Sequence, residues 1–150
     1  MPDEMALLVA DVFEAAGLLR RSGEAIAATE GQTQARWQLL SVVSEESLTV
    51  AQAARRLGIS RQGVQRVAND LVRENLAAFE PNPEHRGSPL LALSPSGHRV
   101  LKKITARATE THRALTVGIH GDDIAQTRDL LHRLMEQLRH HEADGQTPSG

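Results

Sequence analysis

Apolar residues recur at intervals of three and four through most of this chain, the spacing that lines one face of a helix. Met5, Leu8, Val9, Val12, Phe13, Ala16 and Leu19 share such a face near the N-terminus. A second helix is predicted from about Gln32 to Ser44, with Trp37, Leu40 and Val43 on one side. Thr49 can cap a third, and Gln52, three residues on, completes a capping box. That helix must be short, because Gly58 follows Leu57 where a left-handed residue ends a helix. Ser60 then caps a fourth, from Arg61 to about Asn75. Two short helices joined by a three-residue turn containing glycine predict a helix-turn-helix.

The helical period stops at Leu76. Leu76–Glu80 and Leu90–Ser94 read as short strands around a tip with three prolines, Pro81, Pro83 and Pro89, and Gly87. Helix resumes at Ser94-Pro95, a cap followed by proline at the first helical position. It carries Val100, Leu101, Ile104, Ala108 and Leu115 to a break at Gly118–Gly121. Asp122 or Asp123 is expected to cap a last helix bearing Ile124, Leu131, Leu134, Met135 and Leu138. The tail beyond it lacks apolar anchors and is expected to fray. The first and last helices both carry apolar stripes that one chain has no third layer to cover, which implies a two-fold dimer sharing them.

Composition narrows the class. Only Phe13, Trp37 and Phe79 are aromatic, so the core is aliphatic, as in packed helices. The chain has no cysteine, which excludes disulfides, thiol catalysis and zinc-finger or iron–sulfur ligation. No apolar run reaches the ~20 residues of a membrane span. Met1-Pro2-Asp3-Glu4 lacks the positive flank of a signal peptide, so a cytoplasmic protein without membrane partners is expected. The net charge of −2 conceals a gradient: residues 1–49 carry −5, residues 50–103 carry +5 and residues 104–150 carry −2. Phosphate responds to local field, so the basic middle admits a nucleic-acid partner.

The chemistry concentrates there. With Val64, Val67, Ala68 and Leu71 turned to the core and Ile59 plugging the angle between the paired helices, Arg61, Gln62, Gln65, Arg66, Asn69 and Arg73 face outward. Arg, Gln and Asn match the donor and acceptor patterns of guanine and adenine in the major groove. Gln62, Gln65, Arg66 and Asn69 are read as probes of base edges, with Ser60, Arg61 and Arg73 positioning phosphates. Gly63 lowers helix propensity by roughly 1 kcal/mol relative to alanine, for close approach either of DNA or of a neighbouring helix. The hairpin tip offers His85, Arg86 and Ser88; a β-ribbon beside such a helix is a wing, and an arginine on it can enter the narrow minor groove. The plainer alternative for these polar faces is simple solvation.

The order of elements, together with Leu57-Gly58-Ile59-Ser60-Arg61-Gln62-Gly63-Val64, Leu76, Pro81-Asn82-Pro83-Glu84-His85-Arg86 and Leu93-Ser94-Pro95-Ser96-Gly97, resembles the MarR family of bacterial transcription regulators. The resemblance covers nearly the whole chain. It implies a mainly α winged helix-turn-helix of one domain: residues 1–31 and 104–142 as dimerisation helices, 32–103 as the DNA-binding lobe, 143–150 as a frayed tail. It also implies a homodimer on a pseudo-palindromic operator of double-stranded DNA, most often a repressor and often released by a small ligand, for which an aromatic or apolar effector is expected here. Phe13 and Trp37 would line the effector pocket, although Trp37 reads first as core. The family's wing commonly reads Asp-x-x-Asp-Arg-Arg; here Asn82 and His85 replace the acids and Gly87 the second arginine, so Arg86 lacks an orienting carboxylate.

The alternative is a module of the same fold that binds a ligand or a protein without DNA. The outward arginines and glutamines argue against it. Seven histidines show no metal-ligand spacing, no cofactor is implied, and no nucleophile elbow, phosphate loop or paired carboxylate suggests an enzyme.

Overall fold

The computed structural model describes residues 3–145. Among them run α1 (Glu4–Ala28), α2 (Gln34–Glu45), α3 (Val50–Leu57), α4 (Arg61–Arg73), β1 (Ala77–Glu80), β2 (Leu90–Leu93), α5 (Pro95–Leu115) and α6 (Gly121–Gly145). The chain divides after residue 110 into two compact units, the boundary falling within α5.

Local chemistry sets most helix starts. Asp3 accepts from the Met5 N–H, Thr33 from Arg36 and Ser60 from Gly63. The box at Thr49 is complete: its hydroxyl accepts from the Gln52 N–H at 3.1 Å, and the Gln52 side chain accepts from the Thr49 N–H at 2.9 Å. Each such cap contributes about 1 kcal/mol. Gly58 ends α3 at φ +67°, where a side chain would be strained, and its N–H returns to the Ala54 carbonyl.

The first unit is built on the aliphatic side chains those helices turn inward. Leu39, Leu40 and Val43 of α2 meet Ala53 and Ala54 of α3 and Val64, Ala68 and Leu71 of α4. Leu48, Leu76, Ala77 and Leu91 close this core from the hairpin side. Full burial of each leucine contributes roughly 1.5–3 kcal/mol, so this cluster dominates the lobe's stability. A smaller cluster joins Ile26 of α1 to Ile104 and Ala108 of α5, with Trp37 and Val100 against it. Buried Gly23 lets α1 approach α2: a Cβ there would lie 2.8 Å from Gln34 Cγ.

β1 and β2 pair antiparallel, Ala77 opposite Leu93 and Glu80 opposite Leu90. Leu48 adds an unanticipated rung on the other edge of β2, exchanging both backbone hydrogen bonds with Leu91 at 3.3 and 2.7 Å. The segment between α2 and α3 is thereby tied to the hairpin.

Two expectations need correction. Ile59 does not plug the helix-turn-helix angle; it is 46% exposed, and Leu57 packs against the core instead. The left-handed turn at Gly58 carries Ile59 outward. Asp122 and Asp123 do not cap α6 but sit in its first turn, where acids complement the helix dipole. The Ile124 N–H bonds the His120 carbonyl, which places the start of the helix earlier. α6 runs through Gly145, so the first residues of the tail set at 143–150 fall within this helix. Residues 146–150, like Met1 and Pro2, lie outside the described residues. In the second unit α6 buries none of its side chains.

One junction joins α4, the hairpin and α5. The Leu76 N–H bonds the Leu71 carbonyl at 2.9 Å, and the Leu76 carbonyl accepts from the Ser94 N–H at 3.1 Å. The Ser94 hydroxyl donates to the Asn75 carbonyl at 2.7 Å and accepts from the Gly97 N–H at 3.0 Å. Asn75 itself takes φ +61°. Gly97 is buried so closely here that a Cβ would overlap the Leu76 carbonyl oxygen and lie 3.0 Å from its carbon. Gly97→Ala is therefore expected to destabilise the protein by ~1–3 kcal/mol, although alanine is the better helix former. Urea unfolding checks this; an unchanged or raised midpoint would contradict the close approach.

Candidate nucleic-acid interface

Because Val64, Ala68 and Leu71 are buried on one side of α4, Arg61, Gln62, Gln65, Arg66, Asn69 and Arg73 are exposed on the other. The first five of these line one wall of an open cleft of about 650 Å³. The start of α3 (Thr49, Val50 and Ala51) and the hairpin (Phe79, Gly87, Ser88 and Pro89) complete it. The fold thus brings Ser88 of the wing to the outward face of α4. Arg73, His85 and Arg86 lie outside this lining, Arg73 on the last turn of α4 and the other two at the exposed wing tip. Ser60 caps α4, and its hydroxyl proton remains available while its oxygen holds the Gly63 N–H at 3.0 Å.

The electrostatics differ from one arginine to the next. Among the described residues Arg61, Arg66 and Arg86 have no ion-pair partner. Arg73 pairs with Asp70 at 3.0 Å, yet its side chain is 74% exposed, so a phosphate can compete for it at little cost. Arg36 of α2, missed by the sequence reading, holds the end of α4: it meets Glu74 at 2.8 Å and Asp70 at 3.9 Å, and also donates to Gln32. The acids nearest the basic face are therefore already matched by cations. Arg36 is the one basic residue within α2, the only signal in the sequence that could have singled it out.

Gly63 has open space around it except for Ser60 Oγ, 3.1 Å from where a Cβ would stand. No neighbouring helix requires glycine there. Gln65 Nε2 donates to Asn69 Oδ1 at 2.9 Å across one turn of the exposed face.

The wing is organised by Asn82. Its Oδ1 accepts from the Glu84 N–H at 3.1 Å, and its Nδ2 donates to the Ser88 carbonyl at 3.0 Å, six residues away. Backbone bonds from His85 to Asn82 and from Ser88 to His85 fill the loop between. A carboxylate could make the first of these side-chain bonds but not the second. Asn82 thus closes the tip without adding negative charge beside Arg86.

Phe13 lies on α1 with 74% of its surface exposed, while Trp37 packs with Ile26 and Ile104; neither lines the cleft. Among the described residues no group of histidines and acids could hold a metal ion, and no helix is long and apolar enough to cross a membrane.

Comparison with known proteins places this geometry. The family model for the MarR family matches residues 31–86, from the approach to α2 through Arg86 of the wing. An uncharacterized protein of Mycobacterium tuberculosis is 60% identical over 139 residues, covering 93% of this chain and 97% of its own length. A MarR-family transcriptional regulator from Rhodococcus superposes with TM-score 0.80 at 17% identity, over 89% of this chain and 96% of that one. Residues 31–86 thus match the MarR family. Its members are transcription regulators and not enzymes. A variant of Escherichia coli MarR complexed with operator DNA shares the fold at TM-score 0.73 and 17% identity, over 89% of this chain and 99% of that one. Against the MarR-family wing pattern, the departure at Asn82 exchanges a carboxylate for an amide that bonds both ends of the tip.

Asn82→Ala removes two hydrogen bonds, each contributing about 0.5–1.5 kcal/mol. Trypsin is expected to cleave after Arg86 several-fold faster in that variant, with Asn82→Asp intermediate because it keeps only the acceptor. Equal cleavage rates in all three proteins would contradict this role for Asn82.

Proposed function

We propose that this protein is a MarR-family homodimer that binds duplex DNA sequence-specifically and controls transcription by occupying a pseudo-palindromic operator. The observation that carries the reading is the cleft wall on α4, where unpaired Arg61 and Arg66 stand among Gln62, Gln65 and Asn69. Gln62, Gln65 and Arg66 offer donors and acceptors suited to base edges, while Arg61 serves phosphates. Arg86 adds an unpaired cation at the wing, placed for the minor groove or its backbone. The operator complex of Escherichia coli MarR supports the assignment through shared fold.

Assembly follows from uncovered apolar surface. Met5, Val9, Val12, Phe13 and Leu19 of α1 are exposed, as are Ile124, Leu130, Met135 and Leu138 of α6. Stripes of this length on both terminal helices suit a self-complementary two-fold interface. Sedimentation at micromolar concentration is expected to show a dimer; a stable folded monomer would contradict it.

Arg66 and Arg86 separate base reading from phosphate attraction. Arg66→Ala is expected to cost ~1–3 kcal/mol on the cognate operator and to relax preference at one base pair per half-site. Arg86→Ala should weaken cognate and scrambled duplexes alike and make the salt dependence shallower by about one unit for each phosphate no longer neutralised. Titrations of both variants on both duplexes at several salt concentrations check this. Equal weakening of both duplexes by Arg66→Ala would remove its base-reading role.

A further inference from the structure

The hydrogen bond between Gln65 and Asn69 restricts what the exposed face of α4 can recognise, if that face meets DNA as proposed above. A glutamine carboxamide carries two N–H donors and one acceptor oxygen. When both donors are free it can give them to the two acceptors of guanine, O6 and N7. It can equally give one to adenine N7 and accept from adenine N6. A free glutamine is therefore ambivalent between the two purines.

Gln65 is not free. Its Nε2 donates to Asn69 Oδ1 at 2.9 Å, and both residues lie in the cleft wall. With one hydrogen spent on Asn69, Gln65 presents one donor and one acceptor, the complement of adenine and a mismatch for guanine. The bond also holds a flexible side chain before DNA arrives, which lowers the ordering cost of binding. Asn69 stands a turn further from the start of α4, and it is the first turns of a recognition helix that reach base edges.

We propose that Asn69 is a positioning residue, whose Oδ1 takes one Gln65 hydrogen and commits Gln65 to reading adenine in each half-site. Asn69 then contacts no base of its own. The assignment rests on the DNA-binding reading and sharpens it from a set of polar probes to one base preference.

The test selects duplexes with a randomised centre using the full-length protein and three variants, Gln65→Ala, Asn69→Ala and Asn69→Asp. Wild type is expected to require A·T at one position per half-site, favouring it over G·C by about 5- to 150-fold. Gln65→Ala should level that position and leave the others intact. Asn69→Ala should leave the same position occupied by either purine, with adenine and guanine within a few-fold of each other. Asn69→Asp retains the acceptor oxygen, so adenine preference should survive while its added charge weakens binding to every duplex. A merely structural role for Asn69 would lower affinity without changing the ratio of adenine to guanine. That result overturns the proposal, as does loss of preference at a separate position in Asn69→Ala. If wild type enriches no sequence at all, the DNA-binding reading fails, and this assignment with it.

Discussion

The close approach of α5 to the Leu76 carbonyl is the constraint on which the rest of the lobe depends. One carbonyl receives the Ser94 N–H, and Gly97 passes so near that no side chain fits. The Ser94 hydroxyl bonds Asn75 on one side and Gly97 on the other. These few groups determine where α4 ends, where β1 begins and where β2 hands over to α5. Because the hairpin leaves from this point in register, its far end returns beside the outward face of α4. The Leu48–Leu91 rung braces that return from the opposite edge. A cleft with one helical wall and one wing wall is the geometric consequence.

Charge is arranged around that cleft by pairing the acids away from it. Arg36 reaches from α2 to Glu74 and Asp70, so the acidic end of α4 is tied to the lobe. Asn82 closes the wing with an amide, which adds no negative charge, and Arg86 keeps its charge unpaired. Both devices leave positive potential on the surface that phosphates would meet. A chain of net charge −2 can in this way present a basic face.

What the sequence made legible was local. The Thr49–Gln52 box, Gly58 and Ser60 each act within one turn, so the helix-turn-helix could be read residue by residue, and the outward set on α4 followed from its period. Pairings that span many residues were not legible. Arg36 meets Glu74 across 38 positions, and nothing in either residue names the other. Gly97 stood out only as part of a helix start, while its reason, the Leu76 carbonyl, lies in another element. Ile59 was assigned to the core on hydrophobicity alone, although a left-handed turn directs it outward. The Asn82 substitution illustrates a different limit. Type by type it reads as the loss of a carboxylate, and only the distance to the Ser88 carbonyl shows the donor that was gained.

In the proposed complex the outward face of α4 enters the major groove with the wing beside it. Guanine N7 lies in that groove, and its methylation by dimethyl sulfate reports whether the groove is occupied. On a duplex the protein selects, protection of guanine N7 is expected in two patches about one helical turn apart, as a two-fold dimer with two recognition helices requires. Full methylation at every guanine while the protein remains bound would contradict the proposal, because DNA would then not be held through the major groove.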